Sequence, residues 1–206
     1  MGLYERYVWA PLVEYPMRQP PVMDARRKVV PRATGRVLEI GVGTGLNLGL
    51  YDSDRIERVD AFDPSREMLR RARGRASPRG VTVGLFAGSA EDMPFEDATF
   101  DTVVTTFTLC SIPRVTRALQ EMRRVLKPVG RLLFAEHGLS RDTSVARWQR
   151  RLNPAWRLLS GGCNMDRAIV PLIEAAGFRI GSVEVEYLPG PRVLTYCSTG
   201  VAMPGT

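Results

Sequence analysis

The residues best placed to do chemistry start at a turn, Arg36-Val37-Leu38-Glu39-Ile40-Gly41-Val42-Gly43-Thr44-Gly45-Leu46-Asn47. Its first five residues read as a short apolar strand, after which glycine takes every second position from 41 to 45. Glycine is required where a chain turns with positive φ and lets a ligand touch backbone. A helix from Thr44 to about Tyr51 would add unpaired N–H groups and a partial positive charge. Such a turn docks the polar end of a cofactor at the carboxyl edge of a parallel sheet, although a plain strand-to-helix connection has the same look. Asp63 lies 18 positions past Gly45 and ends a second apolar run. A carboxylate there accepts hydrogen bonds from both hydroxyls of an unphosphorylated ribose. Its alternative is to cap the helix that opens at Pro64. The dinucleotide fingerprint asks for a third glycine where Leu46 stands, which weakens a pyrophosphate reading.

A second set of reactive types lies downstream. His137 is the only histidine and follows Glu136 at the end of a predicted strand. The three cysteines, Cys110, Cys163 and Cys197, are odd in number and far apart, so no disulfide framework is implied. With His137 they could supply four zinc ligands, but none lies within metal-motif spacing of another, and no metal is expected.

These residues need a scaffold, and the hydrophobic rhythm supplies one. Strands are predicted at 36–40, 57–63, 81–87, 101–106 and 131–136, with helices after the first, second and fourth, the last of these from Pro113 to Leu126. A turn at Lys127-Pro128-Val129-Gly130 precedes the fifth strand. Alternating strands and helices with mostly apolar strands predict a parallel, doubly wound α/β sheet covered on both faces. The rhythm then changes to helices at about 143–159 and 166–176, and to strands Phe178–Tyr187 and Arg192–Gly200. That closing hairpin makes the last strand antiparallel to its neighbours. Ahead of the sheet, Tyr4, Tyr7, Val8, Leu12, Val13 and Tyr15 form an amphipathic segment, and Pro20-Pro21 opens a helix to Val30. The expectation is a single domain over 1–206, with 1–34 a helical lid or cap and 35–206 the cofactor-binding core.

Composition narrows the class. The 206 residues are 44% hydrophobic and 25% charged, as in ordinary globular enzymes. The net charge of +7 is carried mostly by arginine, densest at Arg70-Arg71-Ala72-Arg73-Gly74-Arg75. A solvated helix face explains it, with contact to a membrane surface or nucleic acid as the other reading. No stretch approaches the roughly 20 apolar residues of a membrane span, and no signal peptide is evident, so a cytoplasmic enzyme is expected.

Glu39-Ile-Gly-Val-Gly-Thr-Gly45 with Asp63 resembles the signature of class I S-adenosylmethionine-dependent methyltransferases. Gly88-Ser-Ala-Glu-Asp-Met-Pro-Phe95 is similar to their adenine-side segment. Phe100-Asp101 opens the fourth strand they share, and Leu126-Lys-Pro-Val-Gly-Arg-Leu-Leu133 is similar to their turn into strand five. Val129 replaces a glycine usual in that turn. Ser89 stands where an aspartate often meets the adenine amine, which passes that contact to Glu91. The resemblance implies a Rossmann-like, seven-stranded sheet with the last strand reversed. It implies S-adenosyl-L-methionine as cofactor and S-adenosyl-L-homocysteine as product. Carried over by position, Gly41 and Gly43 approach the methionine portion, Asp63 holds the ribose, and Pro64 or Met68 covers the adenine. The Ala90 backbone meets a ring nitrogen, and Thr106 or Phe107 faces the methionine amine.

A narrower resemblance lies in Thr108-Leu-Cys-Ser-Ile112, Glu136-His137, Trp148-Gln-Arg-Arg-Leu-Asn-Pro-Ala-Trp156 and Gly161-Gly-Cys163. These are similar to an alkyl thiol methyltransferase group and its bacterial relatives. It implies a small, fairly apolar acceptor, with a thiol favoured. A free thiol is only a few per cent ionised near pH 7, so a base would help. His137 suits that role, with Glu136 orienting or replacing it; the alternative is a structural histidine. Cys110, Trp148 and Cys163 are expected to wall the acceptor pocket, with packing as the other reading for Trp148 and for Trp156. Phospholipid N-methylation and a catalytically inactive cofactor-binding module are the alternatives. A nucleic-acid partner is not favoured, since no aromatic-and-basic platform is visible. The oligomeric state is not legible.

Overall fold

The computed structural model describes residues 10–75 and 80–205. Apolar, β-branched runs make the strands β1 (Gly35–Ile40), β2 (Ile56–Asp63), β3 (Thr82–Ala87), β4 (Phe100–Thr106), β5 (Leu126–His137), β6 (Phe178–Tyr187) and β7 (Tyr196–Pro204). They form one sheet in the order β3-β2-β1-β4-β5-β7-β6. The first five pair in parallel, and β7 enters between β5 and β6 antiparallel to both. The predicted reversal of the closing strand is therefore present.

Successive strand residues face opposite sides, so one sheet needs two cores. Leu38, Ile40, Phe62, Phe100, Val103, Leu132 and Phe134 pack on one face with Leu119 and Met122 of helix α4 (Val115–Val125). Val37, Val59, Ala61, Val104, Leu133 and Ala135 pack on the other with Ala25 and Val29 of α2 (Pro20–Val29). Each such fully buried Leu, Val or Phe contributes about 1.5–3 kcal/mol relative to exposure. The remaining helices are α1 (Ala10–Met17), α3 (Arg66–Arg73), α5 (Thr143–Leu159), α6 (Ile169–Ala175) and the single turn α7 (Arg192–Thr195).

Several expectations need correction. No α-helix follows the glycine turn; residues 43–47 are turns, and a 3-10 segment covers Leu48–Leu50. Gly45 is left-handed (φ 84°), and a side chain there would press on Ala72 of α3 at 3.0 Å, so the turn packs straight onto that helix. The helix-dipole argument for this site therefore falls. Ser65, rather than Asp63 or Pro64, caps α3 by accepting a hydrogen bond from the Met68 amide at 3.3 Å. Residues 127–130 are a bulge within β5, because its register on β4 jumps from Leu126 to Arg131. β7 starts at Tyr196 because Arg192–Thr195 coil into α7 behind Pro191.

The amphipathic start is only partly visible. Tyr4, Tyr7 and Val8 lie outside the described residues, as do the side chains of Leu12 and Val13. The segment between there and β1 is more than a lid. α2 packs against β5 and β7, and Ala25, Val29, Val30 and Ala33 belong to the second core.

Candidate functional site

At the carboxyl edge of the parallel strands lies a cavity of about 1220 Å³. That exceeds the roughly 300–1,000 Å³ typical of a single small-molecule site. There is room for a cofactor and an acceptor together.

The glycine turn forms one wall. Gly41 and Gly43 both line the cavity and both have positive φ, 68° and 54°. A Cβ on Gly41 would collide with the Thr108 side chain, whereas one on Gly43 would meet only the Gly41 carbonyl, at 3.9 Å. Gly43 thus leaves bare backbone facing a cradle that a side chain would fill. Asp63 lines the same wall, its Oδ2 accepting from the Gly43 amide at 2.9 Å and its Oδ1 from the Ser65 amide at 2.8 Å. Burial pushes the Asp63 carboxyl above its ordinary value, although the Ser65 and Gly43 amides oppose that rise. Pro64, Met68, Ser89, Ala90 and Glu91 continue this wall, and Phe107 closes its far end. Phe107 is left-handed without being glycine (φ 53°), a conformation costing about 1–3 kcal/mol that clusters at functional sites.

Three expected cofactor residues support the turn from beneath and do not line the cavity. Glu39 accepts from Asn47 Nδ2 and from the Tyr51 hydroxyl, each at 2.9 Å. Thr106 Oγ1 accepts from Asn47 Nδ2 at 3.0 Å and from Arg26 Nη1. Arg26, reaching in from α2, also donates to Asn47 Oδ1 at 2.9 Å and stacks over Phe107. Burial pushes the Glu39 carboxyl up to about 7, against the hydrogen bonds of Tyr51 and Asn47 and the charge of Arg26. Gly45 is the third, committed to packing on α3. Glu91 does reach the cavity, but both its oxygens accept from Arg114, from the amide at 2.8 Å and from Nε at 2.6 Å. Those bonds hold it below the usual carboxylate range and fix its carboxylate on the cavity wall. Arg26 and Asn47 were not singled out from the sequence; Asn47 carried a signal by closing the glycine turn, and Arg26 carried none.

The opposite wall is assembled from distant segments. Cys110 follows β4, His137 ends β5, and Cys163 lies in the loop after α5; all three line the cavity. His137 Nε2 is 3.0 Å from Cys163 Sγ. Burial pulls the His137 imidazole down, but the Cys163 sulfur and the Glu136 charge more than offset it. The hydrogen bond with Cys110 and the His137 partner pull the Cys163 thiol well down, against burial, while the Cys110 thiol is pushed up. Glu136 is fully buried and off the cavity. It accepts from Thr105 Oγ1 at 2.8 Å and from the Thr108 and Leu109 amides at 2.9 and 3.1 Å, pinning the loop after β4. Its hydrogen bonds go to that loop rather than to His137, which it reaches only through its charge. Trp148 is 54% exposed and absent from the cavity, with Arg151 over its ring. Trp156 lines the cavity instead, beside Ile112 and Leu159. The helical turn between the two tryptophans leaves only the later one facing inward.

Pro16, Met17, Pro21 and Val22 complete the lining from the chain before β1. Among the described residues no helix is long and apolar enough to cross a membrane.

Strand order, glycine turn and strand-end carboxylate together define a Rossmann-like fold built to hold a nucleoside-containing cofactor. Residues 38–134 match the methyltransferase domain family. Crystal structures with the same fold include the YcgJ protein of Bacillus subtilis, at TM-score 0.68 and 19% identity over 89% of this chain and 99% of that one. The methyltransferase CalH in complex with SAH is another, at TM-score 0.64 and 20% identity over 96% of this chain and 59% of that one. The matched domain and its fold are those of the class I S-adenosylmethionine-dependent methyltransferases. Among its relatives, the thiol S-methyltransferase TMT1B of Rattus norvegicus is 35% identical over 75% of this chain and 64% of its own length. The phosphatidylethanolamine N-methyltransferase of Cereibacter sphaeroides is 43% identical over 50% of this chain and 51% of its own. The alignments thus span less than two thirds of these relatives' lengths.

The wall from Gly41 to Phe107 fits S-adenosylmethionine, the cofactor of this family. The bare Gly43 backbone and the Asp63 carboxylate face the cavity, and Pro64 and Met68 offer an apolar cover.

Proposed function

We propose that the chain transfers a methyl group from S-adenosylmethionine to the sulfur of a small, fairly apolar thiol. The carrying observation is the wall opposite the glycine turn, where Cys110, His137 and Cys163 stand among the apolar side chains of Ile112, Trp156, Leu159, Leu188 and Leu194. An apolar body fits the lining, and the sulfur-and-imidazole cluster offers a place for the reacting end. The relation to a thiol S-methyltransferase supports the same acceptor.

The cofactor supplies a methyl group already activated on a sulfonium. The acceptor sulfur bonds that carbon while the carbon–sulfur bond to the cofactor breaks. The electron pair stays on the departing sulfur, and the acceptor's proton ends on water. What remains for the protein is to align the partners and favour the ionised thiol. Asp63 and the turn hold the donor, while Phe107, bonded to the Ala135 carbonyl, and Thr108, bonded to Glu136, line the cavity between the two walls.

A phospholipid amine is the second reading, favoured by one surface feature. Leu158 and Leu159 are 87% and 76% exposed at the end of α5, and Leu159 also lines the cavity. Arg150, Arg151 and Arg157 stand on the same helix, so the rim could rest on an anionic membrane. Methyl transfer to a panel of alkyl thiols and to phosphatidylethanolamine vesicles, read by mass spectrometry, separates the readings. S-methylated product from free thiols is expected. Turnover confined to vesicles would overturn the thiol acceptor.

A further inference from the structure

Cys110, His137 and Cys163 are 27 and 26 residues apart, a spacing that argued against a metal. The fold removes that objection. Among the described residues they are the one group of three histidine, cysteine or acidic side chains whose donor atoms converge, all within 4.8 Å of one another. We propose that this trio binds one thiophilic divalent cation, zinc by its chemistry, with the fourth position open to the cavity for the sulfur of the acceptor thiol.

The geometry suits that ion. Bonds of about 2.3 Å to sulfur and about 2.0–2.1 Å to nitrogen put neighbouring tetrahedral ligand atoms about 3.3–3.8 Å apart. The His137–Cys163 contact is 3.0 Å, and no pair exceeds 4.8 Å, so small side-chain rotations reach a tetrahedral face. A histidine–thiol contact and a thiol–thiol hydrogen bond join the trio pair by pair; a shared cation would gather all three at once.

The ligands are also held in place before any ion arrives. Asn164 donates to the Cys110 carbonyl twice, from its amide at 2.9 Å and from Nδ2 at 2.8 Å, locking the two cysteine segments together. Gly161 and Gly162, both with positive φ, let the loop turn Cys163 inward. The Leu139 amide donates to the Arg167 carbonyl at 2.7 Å, and Arg167 donates to the Leu109 carbonyl, tying the end of β5 to the other two segments. Two thiolates would cancel the charge of the cation, which suits a wall this apolar.

Two cysteines, one histidine and an open position form a ligand set found in catalytic zinc sites, whereas structural sites are closed by a fourth protein ligand. A thiol that takes the open position is deprotonated outright, its proton passing to water. This answers the ionisation demand of thiol methylation. That role rests on the thiol reading above; the cation site itself does not.

The test begins with the purified full chain, titrated calorimetrically with Zn2+ alone and spectroscopically with Co2+. One ion per chain is expected, with sulfur-to-cobalt charge-transfer absorption that shifts when an alkyl thiol is added. Cys163→Ser should lower Zn2+ affinity by at least about 100-fold, exceeding the loss typical of an outer-shell partner. Cys197→Ser, on β7 opposite His137 but outside both the trio and the cavity lining, should bind as the parent does, and melting curves check that Cys110→Ser still folds. Equal Zn2+ affinity in the parent and the Cys110→Ser/Cys163→Ser double variant would overturn the cation site. Thiol turnover that survives complete chelation unchanged would overturn the catalytic role while leaving the thiol acceptor standing. A filled site with no thiol methylated would overturn the acceptor, and with it the role of the open position.

Discussion

The two walls of the cavity are built in opposite ways. The cofactor wall comes from short stretches at the ends of adjacent parallel strands, and most of its work is done by backbone: two glycines, one carboxylate and the amides around it. The acceptor wall gathers side chains from three segments that meet only after the sheet is complete, stitched by Asn164, Arg167 and Glu136. A wall made of backbone fixes one ligand and tolerates little change. A wall made of side chains on loops is where a fold alters its chemistry.

If that contrast is right, damage to each wall should be separable. Gly41→Ala is expected to have the largest effect, since the left-handed backbone and the collision with Thr108 combine. A stability loss of about 1–3 kcal/mol and near-complete loss of S-adenosylmethionine binding should appear in melting curves and calorimetry. His137→Ala should abolish most thiol turnover while cofactor affinity stays at the parent value; a parallel fall in both would erase the distinction between the walls. Asp63→Asn removes the ribose-side charge, and calorimetry should show cofactor affinity about 10–100-fold weaker, the worth of a charged hydrogen bond.

A pH experiment probes the support beneath the turn. The folded Glu39 carboxyl lies near 7, above its unfolded value, so the native state holds a proton that the unfolded state lacks between roughly 4.5 and 7. Its contribution to stability is therefore present at the acid end, is lost as pH rises to 7, and changes little beyond. Glu39→Gln should reduce the loss of stability over that window by on the order of 1 kcal/mol, the slope that remains belonging to Glu136, which burial also pushes up to about 7. A variant with the parent's slope would mean that the Arg26–Asn47–Glu39 network is not what titrates. The smallest effect belongs to Trp148→Ala, within about 0.5 kcal/mol of parent stability and with unchanged turnover. Trp156→Ala should raise the KM for the acceptor.

The sequence made the cofactor wall legible because its constraints are local. Positive φ at Gly41 and Gly43 and a carboxylate at a strand end leave marks within a few residues. The alternation of strands and helices and the reversal of the closing strand were equally readable from the hydrophobic rhythm. What stayed hidden depended on contacts between distant segments. Arg26 looks like one of many surface arginines until α2 docks. Glu136 looks like the partner of His137 by adjacency, yet alternation along β5 turns it to the opposite side, under the loop it pins. Trp148 and Trp156 differ only in which way α5 faces. The helix expected after Gly45 failed because the turn there packs directly onto Ala72.

The docking of α2 has a consequence for how the site comes into being. Residues 20–33 precede every strand of the described sheet, yet they pack on β5 and β7, and β7 is the last of those strands in chain order. Until then Asn47 and Thr106 lack the guanidinium that joins them. The cofactor turn thus precedes most of the sheet in the chain yet is among its last features to be braced, and a nascent chain halted before residue 196 should hold the ligand far more weakly.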